Sequence, residues 1–141
     1  MDSSAILISI HPCYADKIIS GEKRLEFRRQ WASRRADVLV IYATHPVKRI
    51  VAIAEVQQII IGSRWKMWEL AKSGGGGITR NKLFTYLDGK VNAVAIELKR
   101  IVPISGGADP RCIFGGTFRP PQSFRYLKKN ELLKLGKLMA R

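Results

Sequence analysis

The sequence predicts an α+β fold, a mixed sheet or small barrel of about five to six strands with helical insertions and a C-terminal helix. Helical patterns interrupt the strand-like segments at irregular intervals, which argues against a doubly wound parallel sheet. The connection at Pro46 is too short for parallel neighbours, which need about a dozen residues or more. With 141 residues, of which 46% are hydrophobic, the chain suits one domain with a buried core, and we assign 1–141 to it.

The first half of the chain is predicted to hold one helix among four strands. Pro12 cannot donate to a sheet, so it ends the first strand and opens a helix that Gly21 terminates in a left-handed conformation. Leu25 and Phe27 then alternate with charged residues, which places the apolar pair in a core and the charged set on the opposite face. The four strands are predicted at Ala5 to Ile10, around Leu25 to Arg28, at Val38 to Thr44 and at Arg49 to Ile61.

Two short helices are predicted between residues 63 and 89. Ser63 caps the first helix, in which Trp65 and Trp68 lie at helical spacing and are expected in the core. The glycine run Gly74–Gly77 ends this helix. Because no Gly-Lys-Ser/Thr sequence follows the run, we interpret it as a flexible connector and not as a phosphate loop. Thr79 stands at the entrance to the second helix.

A strand, an irregular segment and a helix are predicted for the rest of the chain. Val91 to Ile104 alternates in part between apolar and charged residues, which predicts a strand. Ser105 to Gln122 is rich in Gly and Pro and lacks periodicity, so we expect a loop or an irregular crossing element there. Asn130 is the predicted cap of a C-terminal helix, along which Leu132 and Leu135 share one face.

The charge of the chain favours a polyanionic partner. The sequence contains 25 Lys and Arg against 11 Asp and Glu, which gives a formal net charge of +14. A small basic body of this kind attracts nucleic acid. The hydrophobic content of 46% excludes disorder as the main state, and apolar runs of only about six residues exclude a transmembrane helix, which needs roughly 18 to 20.

The composition also bears on metals, cofactors and compartment. Cys13 and Cys112 are far apart and belong to no C-x-x-C or C-x-x-H cluster, so we expect no metal site and no cofactor. The N-terminal sequence lacks the cationic region and long apolar core of a secretory signal. We therefore expect a cytoplasmic protein with both thiols reduced.

One segment concentrates the residue types that carry chemistry. Gly21 releases the chain from a helix, Lys23 follows at its edge, and a strand then presents Glu26 and Arg28 on one face. This spacing brings an amine, a carboxylate and a planar guanidinium within a few ångströms of one another. Two interpretations stay open: an ion-pair ladder on a solvated face, or a binding or catalytic site.

At this segment the chain resembles the ASCH family, a group of small β-barrel proteins related to the PUA RNA-binding domains. The family signature is a G-x-K-x-x-E-x-R-like run, here Gly21, Lys23, Glu26 and Arg28. Similar segments cover most of the chain, at Leu7 to Pro12, Tyr42 to Val47, Ile78 to Arg80 and Pro121 to Leu127. The resemblance implies a small PUA-like barrel with a cleft beside the Gly-x-Lys turn, where single-stranded RNA or a modified nucleoside binds.

The resemblance also raises the question of catalysis. Some bacterial relatives are amidohydrolases that remove an acetyl group from 4-acetylcytidine, with a Lys, a Thr and a Glu as proposed catalytic residues. Lys23 matches that lysine, Glu26 stands where the threonine would be, and Glu69 is a loose candidate for the glutamate. A replacement hydroxyl would have to come from elsewhere, for instance from Ser9, Thr44 or Ser123.

The roles of Lys23 and Glu26 follow from their neighbourhood in sequence. A carboxylate beside Lys23 is expected to raise its pKa, which works against Lys23 as a general base. Alternatively, Glu26 activates water while Lys23 stabilises a developing oxyanion. Lys23 and Glu26 are therefore the candidate catalytic residues, if the protein is an enzyme.

Basic residues and aromatic rings are interleaved in two parts of the chain, a composition that suits single-stranded nucleic acid. The predicted nucleic-acid contacts are Lys23, Arg28, Arg29, Arg34, Arg35, Tyr42, Arg125 and Lys128. Our main hypothesis is an RNA-binding domain with its ligand cleft at the motif, with single-stranded RNA favoured. The alternatives are a small hydrolase acting on RNA, that is a ribonuclease, or on a modified pyrimidine nucleoside, and an interaction module for an acidic protein.

Overall fold

The computed structural model describes residues 4–140, within which the chain forms six strands and five helices. The strands are β1 (Ala5–Ile10), β2 (Leu25–Arg28), β3 (Val38–Ala43), β4 (Arg49–Gly62), β5 (Ala93–Ala108) and β6 (Phe124–Tyr126). The helices are α1 (Pro12–Ser20), α2 (Arg64–Ser73), α3 (Arg80–Tyr86), α4 (Arg111–Phe114) and α5 (Lys129–Met139). None of these helices is long and apolar enough to cross a membrane.

The six strands form one mixed sheet in the order β2-β5-β4-β3-β1-β6, which curls into a half-barrel. β1 and β3 are parallel, and the other neighbours are antiparallel, including β3 and β4 on the two sides of Pro46. The predicted α+β class, with a barrel-like sheet, helical insertions and a C-terminal helix, is confirmed.

Local capping explains the starts of the first three helices. His11 precedes α1 and accepts a hydrogen bond on Nδ1 from the Cys13 backbone amide, and Gly21 ends this helix with φ 86°. The Ser63 and Thr79 hydroxyls cap α2 and α3 in the same way, each accepting from the amide three residues further on. These helix starts were predicted, because a cap is a property of a few consecutive residues.

Two predictions in the C-terminal part are wrong. The predicted loop at Ser105 to Gln122 begins too early, because β5 continues to Ala108, which pairs with Ile50 of β4. Asn130 does not cap the last helix. Lys128 precedes α5 and its backbone amide donates to Glu131 Oε1 over 2.7 Å, so this carboxylate holds the first turn.

Apolar side chains pack on both faces of the sheet and beneath α2 and α3. The isoleucines of β1 face α1, whereas Leu7 and Val40 face the side covered by α5. A third cluster joins Leu25 and Phe27 of β2 to Met67 of α2 and to other residues of α3 and β5. It holds α2 and α3 against the end of the β4–β5 ribbon, which places α3 opposite the motif on β2.

Candidate functional site

A cavity of about 450 Å³ lies between α1, β2 and α3. This volume is in the range of small-molecule sites, about 300–1,000 Å³. The predicted catalytic residues Lys23 and Glu26 both line it. The complete lining is Tyr14, Lys23, Glu26, Phe27, Ile78, Asn81, Lys82, Thr85 and Tyr86.

Lys23 is the most deeply buried cation of the site, with 2% of its surface exposed. Its Nζ donates to the Gly76 carbonyl over 2.7 Å and lies 3.8 Å from Glu26 Oε1. The same nitrogen is 5.3 Å from the centre of the Tyr14 ring and 5.1 Å from that of Phe27. An ammonium group is thus held between a carboxylate, a carbonyl and two aromatic rings.

Burial lowers the pKa of Lys23, although the negative charge of Glu26 acts in the opposite direction. The expected increase in this pKa is therefore wrong. The expectation rested on the neighbouring carboxylate alone, whereas removal of the amine from water has the larger effect. Lys23 consequently releases a proton more readily than an ordinary lysine.

Glu26 and Arg28 form a buried ion pair beside the cavity. Arg28 Nε and Nη2 lie 3.0 and 2.9 Å from Glu26 Oε2, and each of the two residues is 8% exposed. The alternation in β2 was predicted to place charges on the face opposite the core. That face is buried as well, so a solvated ion-pair ladder is excluded.

Arg28 also connects the two ends of the curled sheet. Its Nη2 donates to the Ser9 carbonyl of β1 over 2.8 Å, and its Nη1 donates to Ser123 Oγ over 3.3 Å. β2 is one edge strand of the sheet, and β6, which follows Ser123, is the other. One guanidinium group therefore orients Glu26 and joins the two edges of the half-barrel.

The glycine run Gly74–Gly77 packs directly against the motif, so the interpretation as a flexible connector is wrong. The Gly75 carbonyl accepts hydrogen bonds from the backbone amides of Arg24 and Leu25. Gly77 has φ +62°, and a Cβ added there would lie 2.8 Å from Cβ of Lys23. Glycine is required at this position because a larger residue would both strain the backbone and overlap Lys23.

The remaining predicted nucleic-acid contacts lie outside the cavity lining. Arg29 Nη1 donates to the carbonyls of Tyr86 and Asp88, 2.8 Å from each, and so ties the end of β2 to the end of α3. Arg34 stacks on the Tyr126 ring at 3.9 Å, and Arg35 pairs with Asp37. Of these arginines, Arg29 holds the chain beside the cavity, whereas Arg34 packs against β6 and Arg35 forms an exposed pair within its own loop.

Tyr42, Arg125 and Lys128 lie in the part of the molecule covered by α5. Tyr42 is 3% exposed and packs against Phe118, with ring centres 5.4 Å apart. Arg125 donates to both carboxylate oxygens of Glu131, and this hydrogen bonding lowers the pKa of Glu131. Lys128 begins α5. Their participation in RNA binding remains a prediction.

The α3 wall of the cavity is the part of the site that the sequence reasoning did not identify. Asn81, Lys82 and Thr85 line the cavity from this helix. Their helical spacing is the signal that could have found them, because it places them together on a helix side away from the buried Leu83. Thr85 thus adds an aliphatic hydroxyl to the lining, beside the phenols of Tyr14 and Tyr86, and none of the three hydroxyl residues considered from the sequence lies there.

The loose candidate Glu69 is exposed on α2 and pairs with Lys72, and it does not line the cavity. Both cysteines are exposed and free. Within residues 4–140, no three His, Cys, Asp or Glu side chains come together as a set of metal ligands. Glu26 is therefore the carboxylate of the described cavity.

The curled mixed sheet and the cleft beside the Gly-x-Lys turn are the features expected of a small PUA-like α+β domain. Comparison of the chain with known protein families agrees with this class. The family model of the ASCH domain matches residues 8–102. The chain belongs to the ASCH family, as its resemblance to that family predicted.

Relatives from Zymomonas mobilis agree with this assignment over nearly the whole chain. An ASCH domain-containing ribonuclease of that organism is 31% identical over 137 residues, which cover 95% of this chain and 91% of the relative. The crystal structure of ASCH from Zymomonas mobilis has a TM-score of 0.86 at 31% identity and covers 97% of this chain and 96% of that one. A serine-to-alanine variant of that protein gives a TM-score of 0.85 at 30% identity, with 97% of each chain covered.

Proposed function

We propose that this protein is an RNA-binding ribonuclease that takes one nucleotide of single-stranded RNA into the cavity. The observation that carries the proposal is the buried pair of Lys23 Nζ and Glu26 Oε1, 3.8 Å apart, in a cavity of about 450 Å³ lined by aromatic rings. The 31% identity to an ASCH domain-containing ribonuclease over 95% of the chain supports it. We place the activity in the cytoplasm, where the exposed cysteines stay reduced.

The binding step uses the rings and the cations that line the cavity. Tyr14, Phe27 and Tyr86 provide apolar surfaces for a nucleobase, and base stacking on aromatic side chains tolerates many sequences. Lys82 contributes a cation on the α3 wall for a phosphate. The formal net charge of +14 attracts RNA from a distance but does not select its sequence.

The reaction is cleavage by the 2′-hydroxyl of the bound nucleotide. Glu26 accepts the proton of this hydroxyl, the 2′-oxygen bonds to the adjacent phosphorus, and the bond from phosphorus to the 5′-oxygen breaks. Lys23 stabilises the negative charge on the phosphoryl oxygens and gives a proton to the leaving oxygen, for which its lowered pKa suits it. The products are a 2′,3′-cyclic phosphate and a 5′-hydroxyl. Glu26 then gives the proton it accepted to water, and Lys23 takes one from water, so both groups regain their starting states.

The test is a cleavage assay on an end-labelled single-stranded RNA at about 0.15 M salt. Lys23→Ala and Glu26→Gln should each reduce the cleavage rate by about 100-fold or more, because each removes a proton-transfer group. The matched control is Lys72→Ala, which removes a cation from the exposed side of α2 and should leave the rate unchanged. An RNA with a 2′-O-methyl group at the cleavage site should not be cleaved there.

Two outcomes would contradict the proposal. Cleavage that persists in both cavity variants would place the reaction elsewhere on the molecule. An RNA that binds in a Lys23-dependent manner and is never cleaved would make this protein a binding module, which is the first hypothesis drawn from its sequence. A melting curve of each variant shows whether a loss of rate reflects unfolding.

A second candidate is hydrolysis of an acetylated pyrimidine nucleoside, and the hydroxyl of Thr85 in the cavity favours it. Incubation with 4-acetylcytidine should then release acetate, and Thr85→Val should abolish the release. Absence of acetate with the wild-type protein would exclude this activity on the free nucleoside.

A further inference from the structure

The α2–α3 surface consists of Trp65, Phe84 and the two arginines beside them, Arg64 and Arg80. Trp65 is 56% exposed, so the expectation that it lies in the core is wrong. Its ring meets Phe84 edge-on, with centres 4.8 Å apart. Arg80 lies 5.3 Å from the Trp65 ring and 5.0 Å from the Phe84 ring. Arg64 lies 5.0 Å from Phe84.

This surface has the composition of a binding platform for single-stranded nucleic acid. A tryptophan with more than half of its surface open offers a ring on which a base can stack, a contact worth about 1–3 kcal/mol per base. The guanidinium groups beside it match phosphate oxygens in charge and geometry. Trp68, three residues further on, is partly buried and contacts the cluster under α2 and α3, so anchoring of α2 does not depend on Trp65.

The platform is continuous with the cavity. Thr85 lines the cavity and also lines a shallow depression of about 250 Å³. Phe84, Arg64 and Asp88, the carboxylate that pairs with Arg64, form the rest of this depression. Lys82 faces the cavity from the same helix that carries Arg80 and Phe84. An RNA strand with one nucleotide in the cavity therefore meets the α2–α3 surface as it crosses α3.

We propose that the α2–α3 surface is a second subsite for single-stranded RNA. A base outside the cavity stacks on Trp65, and Arg80 holds a neighbouring phosphate, while Arg64 keeps its pair with Asp88 and adds positive charge beside Phe84. This inference rests on the proposed function for its ligand, RNA, but it does not need the cleavage step. It predicts that the protein binds a short oligonucleotide more tightly than a single nucleotide.

The test compares Trp65→Ala with the wild type for binding of a mononucleotide and of a single-stranded RNA of about ten nucleotides, at about 0.15 M salt. Affinity for the longer RNA should decrease about 5- to 150-fold, and that for the mononucleotide should not change. Trp65→Phe should recover part of the loss, because phenylalanine keeps a stacking face. The matched control is Val91→Ala, which truncates another exposed apolar residue between β4 and β5, at 82% exposure, and should leave both affinities unchanged.

Tryptophan fluorescence provides a second measurement. RNA binding should quench the emission of the wild type, and most of this change should disappear in Trp65→Phe. Equal affinity of Trp65→Ala and wild type for the longer RNA would overturn the inference. If Trp65→Ala lost mononucleotide binding and thermal stability together, the surface would be a packing element, and the inference would be wrong. Trp65-dependent binding of an acidic peptide as tight as that of RNA would also overturn it.

The outcomes separate this inference from the proposed function. Trp65-dependent binding without any cleavage would refute the ribonuclease proposal and support the second subsite. Lys23-dependent cleavage of long RNA with no contribution from Trp65 would do the reverse.

Discussion

The cavity and the α2–α3 surface use the same kinds of groups in opposite environments. In the cavity, Lys23 lies between aromatic rings and beside Glu26, with only 2% of its surface exposed. On the α2–α3 surface, Arg64 lies beside Phe84 and 3.3 Å from Asp88, whose side chain is 79% exposed. The difference between them is the amount of water around each charge.

This difference determines how each region responds to change. A buried ion pair gains little over an apolar pair of the same shape, but removal of one partner leaves a charge without compensation. An exposed pair exchanges its partner for water, and its loss changes the free energy of unfolding by about 0–1 kcal/mol. We therefore expect a single substitution in the cavity to lower the free energy of unfolding strongly, because its charged groups depend on one another. A single substitution on the α2–α3 surface should have a small effect.

The largest predicted effect is that of Arg28→Ala. This change leaves the Glu26 carboxylate without its guanidinium partner and removes the link from β2 to Ser9, so it should lower the free energy of unfolding by about 3–5 kcal/mol. Arg64→Ala on the α2–α3 surface is the matched control and should change it by about 1 kcal/mol or less. Urea unfolding measures both. Equal effects would remove the distinction between the two regions.

A smaller effect is predicted for Gly77→Ala. The added Cβ would lie 2.8 Å from Cβ of Lys23 at a backbone φ of +62°, so the change should destabilise the protein by more than about 1 kcal/mol. Gly89→Ala, after α3, shares the positive φ but has open space around the added atom, so it isolates the backbone strain. The difference in melting temperature between the two variants measures the cost of the overlap between the added Cβ and Lys23. No difference would show that the glycine run can move away from the motif.

The smallest predicted effect concerns pH. Burial lowers the pKa of Lys23 below 10.5, so between that lowered value and 10.5 the unfolded chain binds more protons than the folded one. The Lys23 contribution to the free energy of unfolding therefore increases with pH across this window, by at most about 1.4 kcal/mol per pH unit. In Lys23→Met this increase should be absent. Urea unfolding of both proteins from neutral pH upward measures it, and parallel profiles would contradict the burial of the amine.

Much of the fold was predictable because it depends on short segments. The caps at Ser63 and Thr79, the left-handed Gly21 and the alternation in β2 are each determined by a few consecutive residues. The short β6 was not predicted, because its three residues become a strand only by pairing with β1, more than a hundred positions earlier.

The candidate site was predictable only in part, for the same reason. The G-x-K-x-x-E-x-R run placed Lys23, Glu26 and Arg28 together, as the structure shows. Burial of Lys23 and Glu26 depends on α3 and on the glycine run, about fifty residues further along the chain, and Arg28 is held by Ser9 and Ser123 from the other sheet edge. The sequence around the motif therefore could not reveal that the pKa of Lys23 is lowered or that Gly74–Gly77 packs against it.

The pairing of Gly62 with Ala93 at the end of the β4–β5 ribbon has a consequence for the history of such proteins. The segment 63–92, which carries α2, α3 and the platform around Trp65, leaves and re-enters the sheet at neighbouring positions. A change in the length of this segment can leave the ladder intact at Gly62 and Ala93. The segment is tied to β2 as well, because the Gly75 carbonyl accepts from the Arg24 and Leu25 amides, so we expect the two halves of the cavity to vary together.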